Sequence, residues 1–212
     1  MKRENQTAKS AEHAKVDPMT NSLSDEELMF HVRNGVGESL GELFSRYQDP
    51  LFNFYRRLTG DRTMSEDLVQ DVFYRILKYR QTYRPGTSFR TWMYQIARNA
   101  RLDCIRKEQV PKDQMKVPLE MDIAGAPHAD HVQQEQEAAL LHRALMQLPE
   151  EKREILLLSR FQELKYDEIA QMLGCETGTV KVRVFRALKD LKTVFQQLEN
   201  QRVANKSLGS ES

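Results

Sequence analysis

The residues with the clearest chemical potential are basic side chains near the C-terminus, placed to bind a polyanion. Residues 166–192 predict a short helix, a turn at Gly174 and a longer helix, which is the pattern of a helix-turn-helix. Apolar residues recur through the second helix at helical spacing and predict its buried face. The opposite face carries Lys181, Val182, Phe185, Arg186 and Lys189. A basic helix presented in this way fits the major groove of duplex DNA.

A second basic segment, residues 83–107, contains six basic residues and one acidic residue, Asp103. Its first six residues predict a loop before a helix, with an aromatic ring, an arginine and hydroxyl groups. Unpaired bases are bound by this chemistry, because rings stack on bases, arginine binds phosphate and short polar groups reach base edges. The rings of Phe89, Trp92 and Tyr94 have a second interpretation as core residues, which the sequence leaves open.

Candidate catalytic and metal-binding groups are sparse. His128 and His131 form an isolated H-x-x-H pair without a helical frame or a third ligand, so we predict no metal site and no cofactor. Cys104 and Cys175 lie in separate predicted helical segments and are interpreted as small apolar residues. No glycine-rich phosphate loop occurs in the sequence. We therefore expect a binding protein and not an enzyme.

The elements that position these residues are predicted to be helices. No segment sustains an alternation of apolar and polar residues, whereas several keep helical spacing, so the predicted fold class is all-α. Prolines, a glycine and an excess of acidic residues after residue 107 indicate a flexible acidic linker. The predicted division is a disordered leader, 1–22, a small helical domain, 23–107, the linker, 108–135, a second small helical domain, 136–198, and a disordered tail, 199–212.

Several residues have the character of helix starts. Ser24, Ser88, Pro50 and Pro149 are each expected at or next to the first turn of a helix. No apolar run approaches the roughly 20 residues that cross a bilayer, and the first residues lack the apolar core of a signal peptide. We expect a cytoplasmic protein with no membrane insertion.

The predicted helix over residues 62–80 carries a polar strip. The strip consists of Glu66, Asp67, Gln70, Asp71 and Tyr74. One interpretation is a docking face for a basic partner, and the other is a solvated face whose acidic residues are favoured near the helix N-terminus by the helix dipole. Composition alone leaves both open.

Three motifs, in order along the chain, together resemble a known family. They are residues 66–73, EDLVQDVF, residues 89–106, which begin FRTWMYQIARN, and residues 148–189, which begin LPE. The chain resembles bacterial extracytoplasmic-function sigma factors, group 4 of the sigma-70 family of RNA polymerase sigma factors. The resemblance spans both predicted domains and implies a sigma region 2 helical bundle over 23–107 and a sigma region 4 helix-turn-helix over 136–198.

The resemblance implies a transcription initiation factor that binds core RNA polymerase, at its clamp coiled coil and its flap, and directs it to promoter DNA without catalysis. Core polymerase would be bound by Asp67, Gln70, Asp71, Phe73 and Tyr74. The minus-10 element would be trapped as a melted strand by Tyr83, Arg84, Thr87, Ser88, Phe89, Tyr94, Arg98, Asn99 and Arg101. The minus-35 element would be read as duplex by Thr177, Thr179, Lys181, Val182, Arg183, Phe185, Arg186 and Lys189.

The resemblance also implies an anti-sigma partner that covers these surfaces. Val182 and Phe185 depart from the serine and histidine common in the family, and we expect them to favour thymine-containing steps through methyl contacts. The alternative is that one of them packs against polymerase or against Phe161. The alternative function is a dimeric helix-turn-helix transcriptional regulator on a palindromic site. The second basic segment, 83–107, argues against it, because a sensing domain needs no second DNA-facing surface.

Overall fold

In the computed structural model, which describes residues 23–108 and 131–208, every regular element is helical. The α-helices are α1 (Asp25–Arg33), α2 (Glu38–Thr59), α3 (Arg62–Tyr79), α4 (Phe89–Glu108), α5 (His131–Met146), α6 (Glu150–Leu156), α7 (Tyr166–Leu173) and α8 (Thr177–Leu208). A 3₁₀ turn, Arg80–Thr82, follows α3, and a π-helical turn, Leu157–Phe161, follows α6. The predicted all-α fold class is confirmed. The leader, most of the predicted linker and the end of the tail lie outside the described residues.

The helix starts follow local side-chain chemistry at three of the four predicted positions. Ser24 and Glu27 form a capping box before α1, and the Ser88 hydroxyl accepts a hydrogen bond from the Thr91 amide at 3.3 Å at the start of α4. Pro149 directly precedes α6. The prediction for Pro50 is wrong, because this proline lies inside α2.

The helix α2 continues through Pro50 because its apolar face continues on both sides of the proline. Leu43 and Tyr47 are buried before it, and Leu51 and Phe54 are buried after it. An interior proline removes a backbone hydrogen bond and costs about 3 kcal/mol. Burying a large apolar side chain stabilises by about 2 kcal/mol. Four such side chains outweigh the cost of the proline, which the local sequence could not reveal.

Helices α1–α4 form an N-terminal unit around a core rich in aromatic rings. The rings of Phe54 on α2 and Tyr94 on α4 meet edge-on, with centroids 5.4 Å apart. The Tyr55 hydroxyl donates a hydrogen bond of 2.8 Å to the carbonyl of Ala97, which ties α2 to α4 in the interior. These contacts fix the orientation of α4, the helix that carries the second basic segment.

Helices α5–α8 form a C-terminal unit, and it packs directly against the N-terminal unit. Buried apolar residues of both units belong to one continuous core. The guanidinium of Arg153 on α6 is buried and donates a hydrogen bond to the carbonyl of Leu58, near the end of α2. The guanidinium carbon of Arg57 lies 4.8 Å from the ring centroid of Phe161. The units are therefore held in a closed arrangement.

Candidate functional surfaces

The C-terminal helix-turn-helix presents an open basic face. α7 ends at Gly174, whose φ of 62° is a left-handed conformation that glycine adopts without strain. Val180 and Val184 on α8 are buried, as their spacing predicts. The predicted duplex-reading residues beyond the half-buried Thr177 are all exposed: Thr179, Lys181, Val182, Arg183, Phe185, Arg186 and Lys189. Phe185 is 70% exposed, so an apolar ring stands in solvent among the cations.

The loop before α4 has a defined shape and lines a recess. The Thr87 hydroxyl donates to the carbonyl of Arg84 at 2.6 Å, and the Tyr83 hydroxyl donates to the carbonyl of Thr87 at 2.6 Å. The recess has a volume of about 500 Å³, and its walls include Arg84, Thr87, Ser88 and the half-buried Trp92. A cation and hydroxyl groups beside an indole are groups that bind a phosphate and an unstacked base.

Three rings that the resemblance assigned to the melted strand are buried. Tyr83, Phe89 and Tyr94 are at most 2% exposed. The Tyr83 and Phe89 rings meet edge-on within the N-terminal unit, with centroids 6.4 Å apart. The structure differs from the prediction here, because these rings supply apolar surface that fixes the loop and the start of α4. In this conformation they support the recess from beneath and do not contact solvent.

Tyr94 is covered by the other unit. Its hydroxyl donates a hydrogen bond to the side-chain carbonyl of Gln162, just beyond the π-helical turn. Burial raises the pKa of Tyr94 well above the usual tyrosine value, so the hydroxyl stays protonated and can donate.

The arginines of α4 that are predicted to bind the strand form ion pairs with carboxylates of α6. Arg101 Nε and Nη2 donate to the two carboxylate oxygens of Glu150 at 3.0 and 3.1 Å. Arg98 Nε lies 3.4 Å from Glu154 Oε1, close enough for an ion pair, although the directions are too poor for a hydrogen bond. Asn99 between them is exposed. Both arginines therefore lie on the predicted face, and in this conformation each is paired with a carboxylate of α6.

Sequence reasoning missed the residues of the C-terminal unit that cover α4. They are Glu150, Glu154, Gln162, Glu168 and Gln171. Their partners on α4 and in the preceding loop lie about 50 to 85 residues earlier in the chain, so no local spacing indicates the contacts. Burial raises the pKa of Glu154 above the usual glutamate value, although the neighbouring Arg98 acts in the opposite direction.

The polar strip of α3 is exposed at its centre. Asp67 and Gln70 are exposed, and Tyr74 is 63% exposed. Asp71 is half-buried and accepts a hydrogen bond of 2.9 Å from Arg75. A phenol beside carboxylate and amide groups is a surface that a basic protein can bind.

Phe73 and Arg75 lie behind this strip and do not form part of an exposed contact face, although Phe73 was predicted to contact polymerase. Phe73 is buried, and its ring meets the Phe44 ring edge-on at 4.8 Å, because this position of α3 faces the core. Arg75 also donates to Asp103 on α4 at 2.8 Å. That hydrogen bond lowers the pKa of Asp103 below the usual aspartate value. Phe73 therefore supports the strip from the interior.

Among the residues that the structure describes, no cluster of histidine, cysteine and acidic residues could hold a metal ion. His128 lies outside the described residues, so the H-x-x-H pair has no described geometry. Cys104 and Cys175 are both half-buried, and no disulfide joins them. None of the helices in the described ranges is long and apolar enough to cross a bilayer.

Comparison with known proteins identifies the family. Residues 43–110 match the family described as Sigma-70 region 2, and residues 138–191 match the family described as Sigma-70, region 4. The chain is 33% identical over 181 residues to ECF RNA polymerase sigma factor SigE of Mycolicibacterium smegmatis, covering 80% of this chain and 68% of the relative. It is 28% identical over 189 residues to RNA polymerase sigma-H factor of Pseudomonas aeruginosa, covering 85% and 98%.

A solved structure shows the same fold. The sigma factor RpoE in complex with the anti-sigma factor NepR, from Bartonella quintana, is similar with a TM-score of 0.57 at 22% identity, covering 74% of this chain and 96% of that one. The two region matches together span more than half of the chain, in the order that the three sequence motifs predict. The chain therefore belongs to the ECF RNA polymerase sigma factors of the sigma-70 family, and it is a promoter-specific transcription initiation factor.

Proposed function

We propose that the chain binds core RNA polymerase through the strip on α3 and divides promoter recognition between α4 and α8. The polymerase-binding residues would be Asp67, Gln70, Asp71 and Tyr74, with Phe73 supporting them from the core. The exposure of Asp67, Gln70 and Tyr74 supports this assignment. The basic partner surface would be the clamp coiled coil of the polymerase, and the flap would contact the C-terminal unit.

The open face of α8 is the single observation that carries the DNA-binding part of the proposal. The minus-35 duplex would be bound by Thr177, Thr179, Lys181, Val182, Arg183, Phe185, Arg186 and Lys189. Cations on an exposed helix bind phosphates and release counterions, which gives affinity, while side chains in the major groove give sequence preference. The exposure of four basic residues on this face supports both roles.

The recess and α4 would bind the melted minus-10 strand. Arg84, Thr87, Ser88, Arg98, Asn99 and Arg101 would contact the strand, and Tyr83, Phe89 and Tyr94 would hold those residues in place. Unstacking costs a few kcal/mol, and capture of a flipped base in a recess offsets that cost. The protein would supply binding energy without hydrolysing a substrate, so we propose no catalytic residue and no cofactor.

The remaining assignments concern organisation and partners. We propose that residues 23–107 and 136–198 act as the two functional domains, and that the protein works in the cytoplasm beside the polymerase. The RpoE structure that shares this fold is a complex with an anti-sigma factor. We propose that an anti-sigma partner also binds this chain and covers its polymerase-binding and DNA-binding faces.

The test is binding of the purified full chain to bacterial core RNA polymerase without DNA. Because Asp71 is paired with Arg75, its reversal would disturb α3 itself, so the informative variant is Asp67→Lys with Gln70→Lys. Both residues are exposed. We expect the native chain to bind tightly and this variant to bind at least about tenfold more weakly.

A matched control is Asp49→Lys with Asn53→Lys, which makes the same charge change at exposed positions of α2. This control should bind core polymerase like the native chain. Equal weakening by both pairs would show a nonspecific charge effect and remove the α3 assignment. Failure of the folded native chain to bind any core polymerase would overturn the proposed docking altogether.

A further inference from the structure

The helix α1 contacts both ends of the loop before α4, although the match to Sigma-70 region 2 begins only at residue 43, after this helix has ended. Its apolar residues Leu28, Met29 and Val32 are buried and belong to the continuous core. The helix is therefore a fixed part of the N-terminal unit, and its polar side chains can hold neighbouring segments in place.

Asp25, the first residue of α1, anchors the helix to α2. Its carboxylate accepts a hydrogen bond of 2.9 Å from Arg46 Nη1 and another from the Tyr47 hydroxyl. The Tyr47 ring in turn meets the Phe89 ring edge-on, with centroids 5.4 Å apart. The start of α1 is thus set in place relative to the first residue of α4.

The next residue, Glu26, holds the far end of the loop. Glu26 Oε1 accepts a hydrogen bond of 3.0 Å from the backbone amide of Phe89, the first residue of α4. The first amides of a helix have no partner within the helix, and a carboxylate bound there is favoured by the helix dipole. Ser88 binds the Thr91 amide from within the loop, whereas Glu26 reaches the Phe89 amide from 63 positions earlier in the chain.

The near end of the loop is held at the last turn of the same helix. Arg33 Nη1 donates a hydrogen bond of 3.3 Å to the carbonyl of Tyr83. Gln81 Nε2 donates one of 2.8 Å to the carbonyl of Arg33. Both ends of the loop of residues 83–88 are therefore tied to α1.

These ties act on an exposed segment that forms one wall of the recess. Arg84, Thr87 and Ser88 are exposed, and all three line the recess. An exposed loop loses conformational freedom when it orders around a ligand, and that loss weakens binding. A loop that is already ordered by its own protein has lost this freedom before the ligand arrives, so the ligand binds more tightly.

We propose that α1 positions the loop, in that Glu26 and Arg33 hold its two ends so that the recess is formed before the melted strand arrives. Because the recess is the proposed site of strand binding, this role rests on the proposed function. Glu26 and Arg33 are positioning residues that act through the loop. Their loss should reduce recognition of the base that enters the recess and leave duplex binding by α8 and polymerase binding by α3 unchanged.

The first measurement follows the Phe89 amide directly. Hydrogen exchange in the full chain, read by NMR, should be about tenfold faster at this amide in Glu26→Ala. Glu26→Gln keeps an acceptor oxygen without the charge and should stay near the native rate. The matched control Glu38→Ala removes an exposed carboxylate from the first turn of α2 and should not change this amide. Native exchange in Glu26→Ala would overturn the tie between α1 and α4.

The second measurement is base recognition by the holoenzyme. The probe is a fluorescein-labelled non-template strand from a promoter duplex that the native holoenzyme selects in vitro, with a series of copies that each lack one base. We expect one abasic position to weaken native binding about tenfold, because the base that stacks in the recess is lost there.

The variants should reduce this one difference. In Glu26→Ala, and in Arg33→Met at the other end of the loop, the same abasic position should weaken binding only about twofold, since a poorly ordered recess binds the base weakly. Glu26→Gln and the control Glu38→Ala should retain the native difference. The glutamine variant separates the hydrogen bond from the charge, because removal of an anion near a strand can change affinity by itself.

The outcomes distinguish this role from the function on which it rests. If no abasic position weakens binding of the native holoenzyme, the recess holds no base and the proposed function of the loop is wrong. If the native holoenzyme shows such a position and both Glu26→Ala and Arg33→Met keep its full effect, only the positioning role of α1 is wrong. Equal weakening of intact strand, abasic strands and promoter duplex would mean that α1 only stabilises the fold, which also overturns the role.

Discussion

The two predicted DNA-binding helices, α4 and α8, are both basic but are presented in opposite ways. On α8 the cations, together with Val182 and Phe185, are exposed. On α4, Arg98 and Arg101 lie against carboxylates of α6. The difference teaches that a basic helix in the sequence indicates which ligand is bound, whereas the contacts of the folded chain decide when it can bind.

This contrast fits the two forms of DNA that the helices would meet. Duplex DNA is available at all times, and an open cationic face binds it with little selectivity until base edges are read. A melted strand exists only after polymerase has engaged, so an exposed single-strand site would mainly bind the wrong nucleic acids. Covering α4 while α8 stays open therefore favours binding of duplex DNA first and of the single strand only after melting.

The largest expected effect is on stability and comes from Arg153→Met, which removes a hydrogen bond between the two units. Arg153 donates hydrogen bonds to the carbonyls of Leu58, Met146 and Leu148, and its loss would leave these buried groups unpaired. We expect the free energy of unfolding to fall by about 3 kcal/mol, measured by urea denaturation. The exposed Arg160→Met on the same unit should change it by less than about 0.5 kcal/mol. Equal effects would show that Arg153 does not join the units.

The next largest effect should separate the two helices in DNA binding. Arg183→Ala with Arg186→Ala should weaken holoenzyme binding to a selected promoter duplex by about 30-fold and reduce the salt dependence by about two counterions. Fluorescence anisotropy at several salt concentrations measures both quantities. Lys192→Ala with Arg202→Ala changes two other exposed cations of α8 and should have little effect. Equal losses would mean that α8 binds DNA without a defined face.

The open surface was predictable from sequence and the covered one was not, for a physical reason. The burial of Val180 and Val184 follows from helical periodicity, and the exposure of Arg186 follows with it. The pairing of Arg101 with Glu150 joins residues 49 positions apart and depends on the packing of two units. Likewise, the sequence suggested a helix start at Pro50 because proline prefers the first turn of a helix. The tertiary burial that overrides this preference in α2 cannot be seen in the local sequence.

A smaller effect is expected for Arg98→Ala, and it should appear in melting. The holoenzyme should form open complexes about tenfold more slowly, seen as permanganate reactivity of unpaired thymines, with unchanged duplex capture. Because Arg98 is also paired with Glu154, the comparison should be made in a Glu154→Gln background, which removes the unpaired buried carboxylate. Loss of duplex binding instead of melting would remove the division of labour between α4 and α8.

The smallest effect should come from Phe185, where the apolar ring of α8 meets the groove. If its ring contacts a thymine methyl group, replacing that thymine by uracil removes about 0.8 kcal/mol and weakens native binding about fourfold. Phe185→Ala should bind the thymine and uracil duplexes equally, because the methyl group then has no partner. Scanning uracil through the selected minus-35 duplex locates the contact.

The coupling between the protein change and the methyl deletion is what identifies the contact. If the ring only packs against polymerase, Phe185→Ala would weaken binding to the thymine and uracil duplexes alike, and the free-energy effects of the two changes would add. If the ring contacts the methyl group, replacing thymine by uracil would no longer change the affinity once Phe185→Ala has been made. The neighbouring cations of α8 bind phosphates and are expected to act equally at all base positions. Non-additive effects of the two changes on binding free energy at one base position would therefore show that Phe185 adds sequence preference to an otherwise electrostatic surface.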